Sequence, residues 1–488
     1  MKRLSNAVLG DLPPSVSIPA YDRASSGIGI VHLGIGAFHR AHQAVYTDDV
    51  LARDGGDWAI AGVSLRSKTV HDQLDPQDGL FSVTALDGEG RDCRIVGSVK
   101  DVIFAPDEKV RLFELMAAPS TRIVSLTVTE KGYYRDPSTG ALLADDPAIR
   151  ADLASPDDPA TAVGLIVRAL KLRRATGTEP FTVLCCDNLP ANGAALRQVV
   201  LDFALLHDSD LAAWIEETVR FPSTMVDRIV PATTGEGLDD VAAHLGCRDE
   251  GAILTEPFSQ WVIEDDFSTG RPAWEDAGAM LVADVAPFEF AKLRLLNGPH
   301  SAIAYLGYLA GMEYVSDVME NASLRRFVDA LMREDIRPTV TAPEGFDLDA
   351  YIDALQARFS NPSLHHRCWQ IAMDGSQKLP QRLLGTVRDR LKAGASVARF
   401  GLVVAAWIRY ASGVDLAGNA IDVRDPFSER FAERFTPLLS KPEALAEAAL
   451  SMTGIFGADL GENATFRAAV TEGMKKLFAD GAIIATEL

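Results

Sequence analysis

Short apolar runs alternate with helical patterns in the first half of the chain. Residues 28–33 (IGIVHL), 57–63, 122–129 and 181–186 are nearly continuous apolar runs, as parallel strands covered on both faces require. Between the last two runs, residues 162–175 repeat apolar side chains at helical spacing, which predicts a crossover helix. A polar lead-in that we expect to be rich in β-structure precedes the first run. The pattern predicts an α/β fold with a mostly parallel sheet.

Helical patterns dominate from about Pro287 onward, and strand signals nearly vanish there. The segments with helical spacing are residues 300–311, 322–334, 348–359, 379–394, 400–413, 444–456 and 465–481. A chain of 488 residues is too long for one ordinary core. We therefore expect an α/β domain over residues 1–285 and a mainly α-helical domain over residues 286–488, with a ligand cleft where they meet.

A glycine turn follows the first apolar run and precedes a helical pattern. In a dinucleotide-binding turn, the first glycine makes the tight turn and the second lets the backbone approach the pyrophosphate. Gly34 and Gly36 fit these two positions, whereas His39 stands where the fingerprint has its third glycine. We expect a nicotinamide dinucleotide to contact Gly34, Gly36, Ala37, Phe38, Arg66 and Asn188, although a two-glycine turn also occurs by chance.

The second apolar run leads into Ser-Leu-Arg-Ser-Lys-Thr at residues 64–69, where the ribose of NAD usually meets a carboxylate. No carboxylate is present. Arg66 and Lys68 could instead pair with the 2′-phosphate of NADP, or both could be solvated loop cations. NAD is the expected cofactor, and NADP stays open.

An amine, a carboxamide and an imidazole occur within nine residues, at Lys292, Asn297 and His300. Steps of five and eight residues on an α-helix rotate by about 140° and 80°, so the three side chains can share a broad face. Phe288 and Phe290 would partly desolvate the lysine, which lowers its pKa and suits it to proton transfer. Taken singly, they also fit a snorkelling lysine, a capping asparagine and a core histidine.

Asn188 follows the apolar run 181–186, at the strand end that faces the ligand crevice in parallel sheets. Its amide can donate to an oxyanion together with Asn297, or it can form an Asx turn. Cys185 and Cys186 are adjacent and lack any metal-ligand spacing, so we expect them to be structural and expect no metal.

The formal charge of −21 disfavours binding to nucleic acids and to anionic membranes, so an anionic substrate would need a local basic pocket. The five cysteines include no CxxC pair, which favours a reducing compartment. No secretory leader and no apolar run of membrane-spanning length is apparent, so we expect a cytoplasmic protein with a small-molecule substrate. No heptad pattern identifies an oligomer interface.

Seven ordered blocks resemble the polyol-specific long-chain dehydrogenases, a family that includes mannitol 2-dehydrogenase and fructuronate reductase. They cover the chain from about residue 28 to 485 and are GIGAFHRAHQAVYTDDVL, SLTVTEKGYY, CCDNLPANG, FPSTMVDRIVP, EPFSQWVIED, KLRLLNGPHS and DGSQKLPQR. The resemblance implies zinc-independent enzymes with an expanded Rossmann domain and a helical domain.

The resemblance also implies roles for individual residues. Lys292 corresponds to the general acid/base, Asn297 and Asn188 to the oxyanion site, and His300 to a residue that positions a substrate hydroxyl. Glu289, one turn before the lysine, corresponds to an acid that assists proton exit. The substrate-pocket positions are Asp227, Gln370 and Lys378, and we add Arg382 as a candidate.

Two departures from the mannitol 2-dehydrogenase pattern are visible. Gln370 stands where those enzymes carry an arginine, and Ser67, Lys68 and Thr69 stand where they carry acidic residues. The segments RFSNPSLHHR and WQIAMDGSQKLPQR are closer to the fructuronate reductase branch. That likeness implies interconversion of D-mannonate and D-fructuronate by hydride transfer.

A hexuronate carries a terminal carboxylate, which requires a cation or several N–H donors. Lys378, Arg382, His366 and Arg367 could form such a clamp, although Arg382 also fits the solvated face of an amphipathic helix. The nearest alternative is the same chemistry on mannitol or another polyol. An alternative of another class is a non-catalytic nucleotide sensor, which would not need the aligned lysine, asparagine and histidine.

Overall fold

The computed structural model describes residues 1–88, 90–137 and 139–487. The chain divides into two compact units, Met1–Ala286 and Pro287–Leu488. The strands of the first unit are β1 (Val16–Ser17), β2 (Ile28–Leu33), β3 (Ala59–Ser64), β4 (Phe81–Leu86), β5 (Arg91–Val96), β6 (Val99–Phe104), β7 (Ile123–Leu126), β8 (Thr182–Cys185), β9 (Thr224–Asp227), β10 (Ile253–Thr255), β11 (Gln260–Glu264) and β12 (Met280–Val282).

Five of these strands form one parallel sheet in the order β6-β3-β2-β7-β8. Numbered within the sheet, the order is 3-2-1-4-5, which is the arrangement of a Rossmann sheet. The direction of winding reverses between β2 and β7, and ligands of such sheets bind beyond the carboxyl ends of the strands at this point. The glycine turn follows β2 and therefore lies at that edge.

Both faces of the parallel sheet are covered, as the apolar runs predicted. Every residue of β3, β7 and β8 is buried. Neighbouring residues of one strand belong to different cores: Ile30 packs with Val50 and Trp261, whereas Val31 packs with Ile166 and its neighbours. This alternation follows from the two-residue period of a strand. The predicted α/β class is confirmed.

Two smaller sheets complete the first unit, in the orders β1-β5-β4-β10 and β12-β11-β9. The α-helices of the unit are α1 (Ala37–Ala41), α2 (Gln43–Asp54), α3 (Thr69–Leu74), α4 (Ala105–Ala117), α5 (Pro147–Ala154), α6 (Ala162–Thr176), α7 (Asn192–His207), α8 (Ser209–Thr218) and α9 (Gly235–Leu245). Short 3₁₀ turns span Asn6–Asp11, Asp75–Gln77, Glu130–Tyr133 and Trp274–Ala277.

The predicted crossover helix is α6. It begins after Thr161, whose hydroxyl accepts the N–H of Gly164, and it ends at Gly177 with φ +69°. The prediction of a β-rich lead-in is wrong, because β1 is a two-residue strand and a 3₁₀ turn precedes it. That segment is held instead by apolar packing of Leu4 and Val8.

The second unit is helical, and its described residues contain only isolated β-bridges. Its α-helices are α10 (Ala286–Lys292), α11 (Gly298–Leu309), α12 (Val315–Glu320), α13 (Ala322–Ala330), α14 (Leu348–Phe359), α15 (Cys368–Ala372), α16 (Gly375–Leu379), α17 (Gly385–Lys392), α18 (Ala398–Ala411), α19 (Ser428–Phe435), α20 (Pro442–Leu450), α21 (Thr453–Gly461) and α22 (Ala464–Ile484). 3₁₀ turns span Arg337–Thr339, Pro362–Leu364 and Thr436–Leu438. The predicted mainly helical C-terminal part is confirmed.

Three π-helical segments interrupt these helices, at Leu293–Asn297, Leu331–Ile336 and Pro380–Leu384. The first joins α10 to α11 and the third joins α16 to α17, so each lies within a longer continuous helix. The first segment packs against the other two. Single π-helical turns inside α-helices are frequent at functional sites.

Candidate active site

Two glycines with different surroundings shape the turn after β2. Gly34 has φ +96°, and a Cβ there would lie 2.1 Å from the carbonyl oxygen of Thr127. At Gly36, an added Cβ would come no closer than 3.8 Å to its nearest neighbour, the oxygen of Gly34. The open space above Gly36 fits the approach of a dinucleotide pyrophosphate. Ala37 and Phe38 follow as the first residues of α1 and are partly buried.

The place of the missing third glycine is taken by a buried histidine stack. The rings of His39 and His32 lie 3.4 Å apart, with 15° between their planes. Nδ1 of His32 is 2.8 Å from Oγ of Ser125, and Nε2 is 3.0 Å from Oγ1 of Thr127. Burial lowers the pKa of His32 to about 3 and holds that of His39 well below its ordinary value. Both rings are therefore neutral beneath the glycine turn.

A cavity of about 200 Å³ opens at the carboxyl ends of β2, β3 and β7. Ligand pockets usually measure about 300–1,000 Å³, so this cavity would admit one end of a dinucleotide. It is lined by Gly34, Leu65, Arg66, Val128, Gly132, Tyr134, Ala160, Thr161 and Ala162. Of the residues expected to bind the cofactor, Gly34 and Arg66 are in this lining, whereas Gly36, Ala37, Phe38 and Asn188 are not.

The loop after β8 is held by a buried carboxylate. Asp187 accepts hydrogen bonds from the N–H of Val128 at 2.7 Å and from the hydroxyl of Tyr133 at 2.6 Å. Burial raises the pKa of the Asp187 carboxyl despite these bonds. Asn188 comes next and its side chain is exposed. Asn188 thus stands at the strand end predicted for it, beside an anchored residue.

A buried asparagine, Asn192, fixes the start of strand β9. The side-chain amide of Asn192 donates to the carbonyl oxygen of Thr224 at 2.9 Å and accepts the N–H of the same residue at 2.9 Å. Asp227, which the sequence suggested as a substrate residue, ends β9 and is buried. Asn192 therefore ties the start of α7 to β9, which is a structural role that the sequence did not reveal.

Lys292, Asn297 and His300 lie on one long helix of the second unit. Lys292 ends α10 and is only 7% exposed. The prediction that α-helical spacing separates it from Asn297 is wrong, because residues Leu293–Asn297 are π-helical. In a π-helix the bonded residues are i and i+5, so Lys292 and Asn297 lie over one another more closely than on an α-helix. Glu289, three residues before the lysine, is partly buried on the same side.

Arg294 anchors this π-helical segment to two other parts of the unit. Its guanidinium donates to the carboxylate of Asp389 at 2.5 Å and to the carbonyl oxygen of Thr339 at 3.2 Å, and it lies 4.1 Å from the ring centre of Phe290. At Gly298, an added Cβ would lie 3.0 Å from the carbonyl oxygen of Arg382. The contacts of Arg294 and the close packing at Gly298 therefore fix the position of the π-helical segment Leu293–Asn297.

His300 is a buried, neutral imidazole. Its ring stacks on that of Phe359 with the ring centres 5.1 Å apart, and the centre of the His366 ring lies 5.0 Å away. Burial is the main cause that holds the pKa of His300 well below its ordinary value, and the nearby His366, Arg382, Arg358 and Lys378 lower the pKa further. A neutral imidazole can donate from one nitrogen and accept at the other, which suits it to orient a hydroxyl.

The candidate clamp residues fall into two groups. Lys378 and Arg382 are partly buried beside His300; Lys378 donates to the carbonyl oxygen of Ile371 at 3.3 Å, and Arg382 donates to the hydroxyl of Ser301 at 3.3 Å. Burial lowers the pKa of His366, which also faces His300, to about 4.

Gln370 and Arg367 do not join this cluster through any contact that the structure shows. The side chain of Gln370 is exposed, and Arg367 forms an exposed ion pair with Glu313 at 3.2 Å. An exposed pair of this kind is weak. Of the four clamp candidates, His366 meets the His300 ring and the charges of Lys378 and Arg382 act on it, whereas Arg367 pairs with Glu313.

Two residues near the candidate sites were missed by the sequence analysis. Arg358 is 8% exposed, and its charge acts on His300. It is the second-last residue of α14, whose residues have the spacing of an ordinary amphipathic helix, so no local signal distinguished it. Tyr134 lines the cavity at β3 and has φ +51°, which is unusual for a tyrosine. The sequence motif SLTVTEKGYY includes both Tyr133 and Tyr134, but the sequence does not show which of the two side chains lines the cavity.

Within the described ranges, no three His, Cys, Asp or Glu side chains cluster as a metal site would require. In the same part of the chain, no helix is both long and apolar enough to span a membrane.

Family models match most of the chain. The Rossmann domain of mannitol dehydrogenase matches residues 28–276, and the mannitol dehydrogenase C-terminal domain matches residues 284–478. D-mannonate oxidoreductase of Escherichia coli is 48% identical over 483 residues, which cover 98% of this chain and 99% of that protein. Mannitol 2-dehydrogenase of Aspergillus terreus is 40% identical over 475 residues, which cover 96% and 94%.

The fold has a solved counterpart. The Pseudomonas fluorescens mannitol 2-dehydrogenase, determined as a ternary complex with NAD and D-mannitol, superposes with a TM-score of 0.89 at 39% identity and covers 99% of each chain. A D-sorbitol dehydrogenase in substrate-free form superposes with a TM-score of 0.91 at 33% identity, covering 99% of this chain and all of that one. These matches and the two domain models show that the chain belongs to the mannitol dehydrogenase family.

Proposed function

We propose that the protein is an NAD(P)-dependent dehydrogenase that interconverts D-mannonate and D-fructuronate. The carrying observation is that Arg382 contacts Ser301, the residue after His300, and that the charges of Arg382, Lys378 and Arg358 all act on the His300 ring. The full-length likeness to a D-mannonate oxidoreductase supports the same substrate class.

The cationic group is unusual in this chain. Its formal charge is −21, so the average field of the protein repels an anionic substrate. Three cations concentrated about one buried imidazole create a local positive potential. A hexuronate carboxylate would gain from this potential through charge-assisted hydrogen bonds, whereas an uncharged hexitol would not. The geometry therefore favours a sugar acid over a polyol.

The chemistry is a paired transfer of a hydride and a proton. When bound, the nicotinamide supplies hydride to C5 of fructuronate or accepts it from C5 of mannonate. Lys292 donates the proton to the alkoxide oxygen in reduction and, as a neutral amine, accepts the hydroxyl proton in oxidation. Because Lys292 is buried, we assign to Glu289 the transfer of this proton to solvent.

Asn297 stabilises the negative charge that develops on the substrate oxygen. The i to i+5 spacing across the π-helical segment turns Asn297 toward the same side of the helix as Lys292, which supports a joint role for the proton donor and the oxyanion donor. His300 accepts or donates one hydrogen bond to a substrate hydroxyl. By the family resemblance, Asn188 supplies a second amide donor.

The remaining candidates are assigned to substrate recognition. Lys378 and Arg382 are proposed to bind the substrate carboxylate, because both are cationic and the charges of both act on His300. Lys378 lies in α16, and Arg382 lies in the π-helical segment that follows it. Asp227 is proposed to accept a substrate hydroxyl. Gln370 is proposed as a substrate contact on the family resemblance alone, since its side chain is exposed.

The substrate assignment is tested with a panel of D-mannonate, D-mannitol and other polyols, each with NAD⁺ and NADP⁺. We expect kcat/KM for mannonate to exceed that for mannitol. The Lys378→Met variant should raise KM for mannonate with little effect on kcat, as expected for lost ground-state binding. Equal kcat/KM for mannitol and mannonate would contradict the sugar-acid assignment and favour the mannitol 2-dehydrogenase alternative.

The mechanism is tested at Lys292 and Asn297. Lys292→Met should lower kcat about 10²–10⁴-fold, the range usual for a general acid or base. Asn297→Ala should lower kcat about 10²–10³-fold with a small change in cofactor affinity. Lys392→Met is the matched control, because the Lys392 side chain is 80% exposed. Near-normal turnover of Lys292→Met would exclude the assigned role.

A further inference from the structure

We infer that the cavity at the end of β3 accepts a 2′-phosphate through Arg66, so that NADPH binds at least as tightly as NADH. The inference rests on the proposed dinucleotide binding and concerns the cofactor that this site selects. It assigns the selection to Arg66 and not to Lys68, the other cation of the same loop.

The position of Arg66 is the one at which Rossmann domains distinguish the two cofactors. A carboxylate near the end of the second strand holds the ribose 2′-hydroxyl of NAD, and an arginine there accommodates the 2′-phosphate of NADP. In this sheet β3 is the second strand, and Arg66 lies two residues after its last residue, Ser64. Arg66 also lines the cavity next to the glycine turn.

Lys68 is directed away from this cavity. Its ammonium lies 2.9 Å from a carboxylate oxygen of Asp107 and 5.5 Å from the ring centre of Phe104. The pairing raises the pKa of Lys68, chiefly through the hydrogen bond to Asp107. Lys68 is not part of the cavity lining, so the sequence's two candidate cations are separated by the fold.

Among the residues that the structure describes, Arg66 has one hydrogen-bond partner at the cavity, and most of its N–H donors remain available to a ligand. Its Nη2 donates to the hydroxyl of Tyr134 at 3.2 Å. A guanidinium carries five N–H donors, so a single bond to a neutral hydroxyl leaves most of the fork for a phosphate. Tyr134 has the left-handed backbone noted above, which directs its side chain to the cavity, and it acts here as a positioning residue.

The described lining of the cavity contains no carboxylate that would favour NAD. Among the described residues that form it, none is an aspartate or a glutamate. A ribose 2′-hydroxyl therefore lacks the usual carboxylate acceptor in this cavity, while a 2′-phosphate finds a guanidinium. The missing carboxylate and the guanidinium that is present both favour NADP(H) over NAD(H).

The test is a direct binding measurement on the full-length protein without substrate. NADH and NADPH are titrated at fixed ionic strength, and Kd is obtained from the change in nicotinamide fluorescence. We expect Kd for NADPH to be equal to or below that for NADH. Arg66→Gln should raise Kd for NADPH about tenfold or more, because a charged hydrogen-bonded pair is lost, and should change Kd for NADH less than about threefold.

Two further variants separate the contributions. Lys68→Gln is the matched control and should leave the ratio of the two Kd values unchanged. Tyr134→Phe should weaken NADPH binding less than Arg66→Gln does, because the guanidinium remains. Arg66 is exposed, so its variant should keep the melting temperature of the parent protein.

The outcomes distinguish this inference from the proposed function. If neither nucleotide binds, the proposed dehydrogenase function is wrong. If NADH binds and NADPH binds more weakly than NADH, dinucleotide binding stands and the inference about Arg66 is overturned. Equal weakening of both nucleotides by Arg66→Gln would also overturn it, since Arg66 would then not distinguish the 2′-phosphate.

Discussion

The hydroxyl of Tyr133 donates a hydrogen bond of 2.6 Å to the carboxylate of Asp187. The same hydroxyl lies 2.9 Å from the sulfur of Cys185, and Asp187 also accepts the N–H of Val128. These contacts connect the segments that follow β7 and β8, at the edge of the sheet where the candidate cofactor residues lie. The Tyr133–Asp187 bond therefore holds the loop that carries Asn188.

Removing the Tyr133 hydroxyl should destabilise the protein. Tyr133→Phe leaves a buried carboxylate with one donor fewer, which costs about 1–3 kcal/mol. The measurement is the unfolding midpoint of the full-length protein in urea. Tyr134→Phe is the matched control and should change stability by less than about 0.5 kcal/mol, because it removes a hydrogen bond from an exposed guanidinium. Equal stability of the two variants would contradict this account.

The two glycines of the turn should respond differently to alanine. Gly34→Ala places a methyl group 2.1 Å from a carbonyl oxygen at positive φ, so it should lower stability by more than about 1 kcal/mol. Gly36→Ala has an allowed backbone, with φ −82° and ψ −177°, and open space around it, so it should fold normally. Its methyl group would instead obstruct the pyrophosphate.

We therefore expect Gly36→Ala to retain the parent melting temperature and to weaken nucleotide binding at least tenfold. Thermal unfolding and fluorescence titration of each variant check the two parts. A Gly36→Ala protein that binds nucleotide normally would show that the pyrophosphate does not lie at this turn.

The His32–His39 stack should make stability depend on pH. Both folded-state pKa values lie below the unfolded value of about 6.5, so below that pH the unfolded chain takes up protons that the folded protein does not. The stabilising contribution is thus complete above pH 6.5 and is lost as pH falls from about 6.5 toward about 3, the folded pKa of His32. Each such histidine contributes a slope of about 1.4 kcal/mol per pH unit.

His39→Gln isolates this effect, because other titrating groups cancel in a comparison with the parent protein. Urea unfolding at several values between pH 6.5 and 5 should show an average slope that is smaller by about 1 kcal/mol per pH unit in the variant, and the difference should approach about 1.4 kcal/mol per pH unit toward the acid end. Parallel profiles for the two proteins would mean that His39 does not stay neutral in the folded state.

The Arg294–Asp389 pair should contribute to holding the π-helical segment. Asp389→Ala leaves a buried guanidinium without its carboxylate and should cost about 1–3 kcal/mol, with the lower part of that range expected because Asp389 is 41% exposed. Hydrogen exchange of residues 286–309 should also accelerate in the variant. Lys392→Ala is the control: its ammonium lies 4.0 Å from Asp389 and is 80% exposed, so stability and exchange should stay unchanged.

Much of the fold could be predicted from local pattern. The run 28–33 coincides with β2, and the helical pattern 348–359 coincides with α14, because burial on both faces or on one face leaves a period in the sequence. The strands of the two smaller sheets were not predicted. Some are only two or three residues long, which is too short to show a period.

The candidate site was predictable where its residues are neighbours along the chain. Lys292, Asn297 and His300 were recognised together because nine residues of sequence contain all three. Their exact arrangement could not be predicted. A π-helical turn leaves no distinct side-chain periodicity in the sequence, and this one packs against two other π-helical segments. The roles of Arg66 and Lys68 also looked equivalent in sequence.

The sequence by itself determined the alternation of strand and helix, the glycine turn and the grouping of a lysine, an asparagine and a histidine on one helix. Only the tertiary structure decided that the charges of Arg358, Lys378 and Arg382 act on His300 and that Lys68 pairs with Asp107 while Arg66 lines the cavity. The physical reason is that periodicity reports whether a side chain is buried. Which side chains meet across tens of residues depends on how whole segments pack.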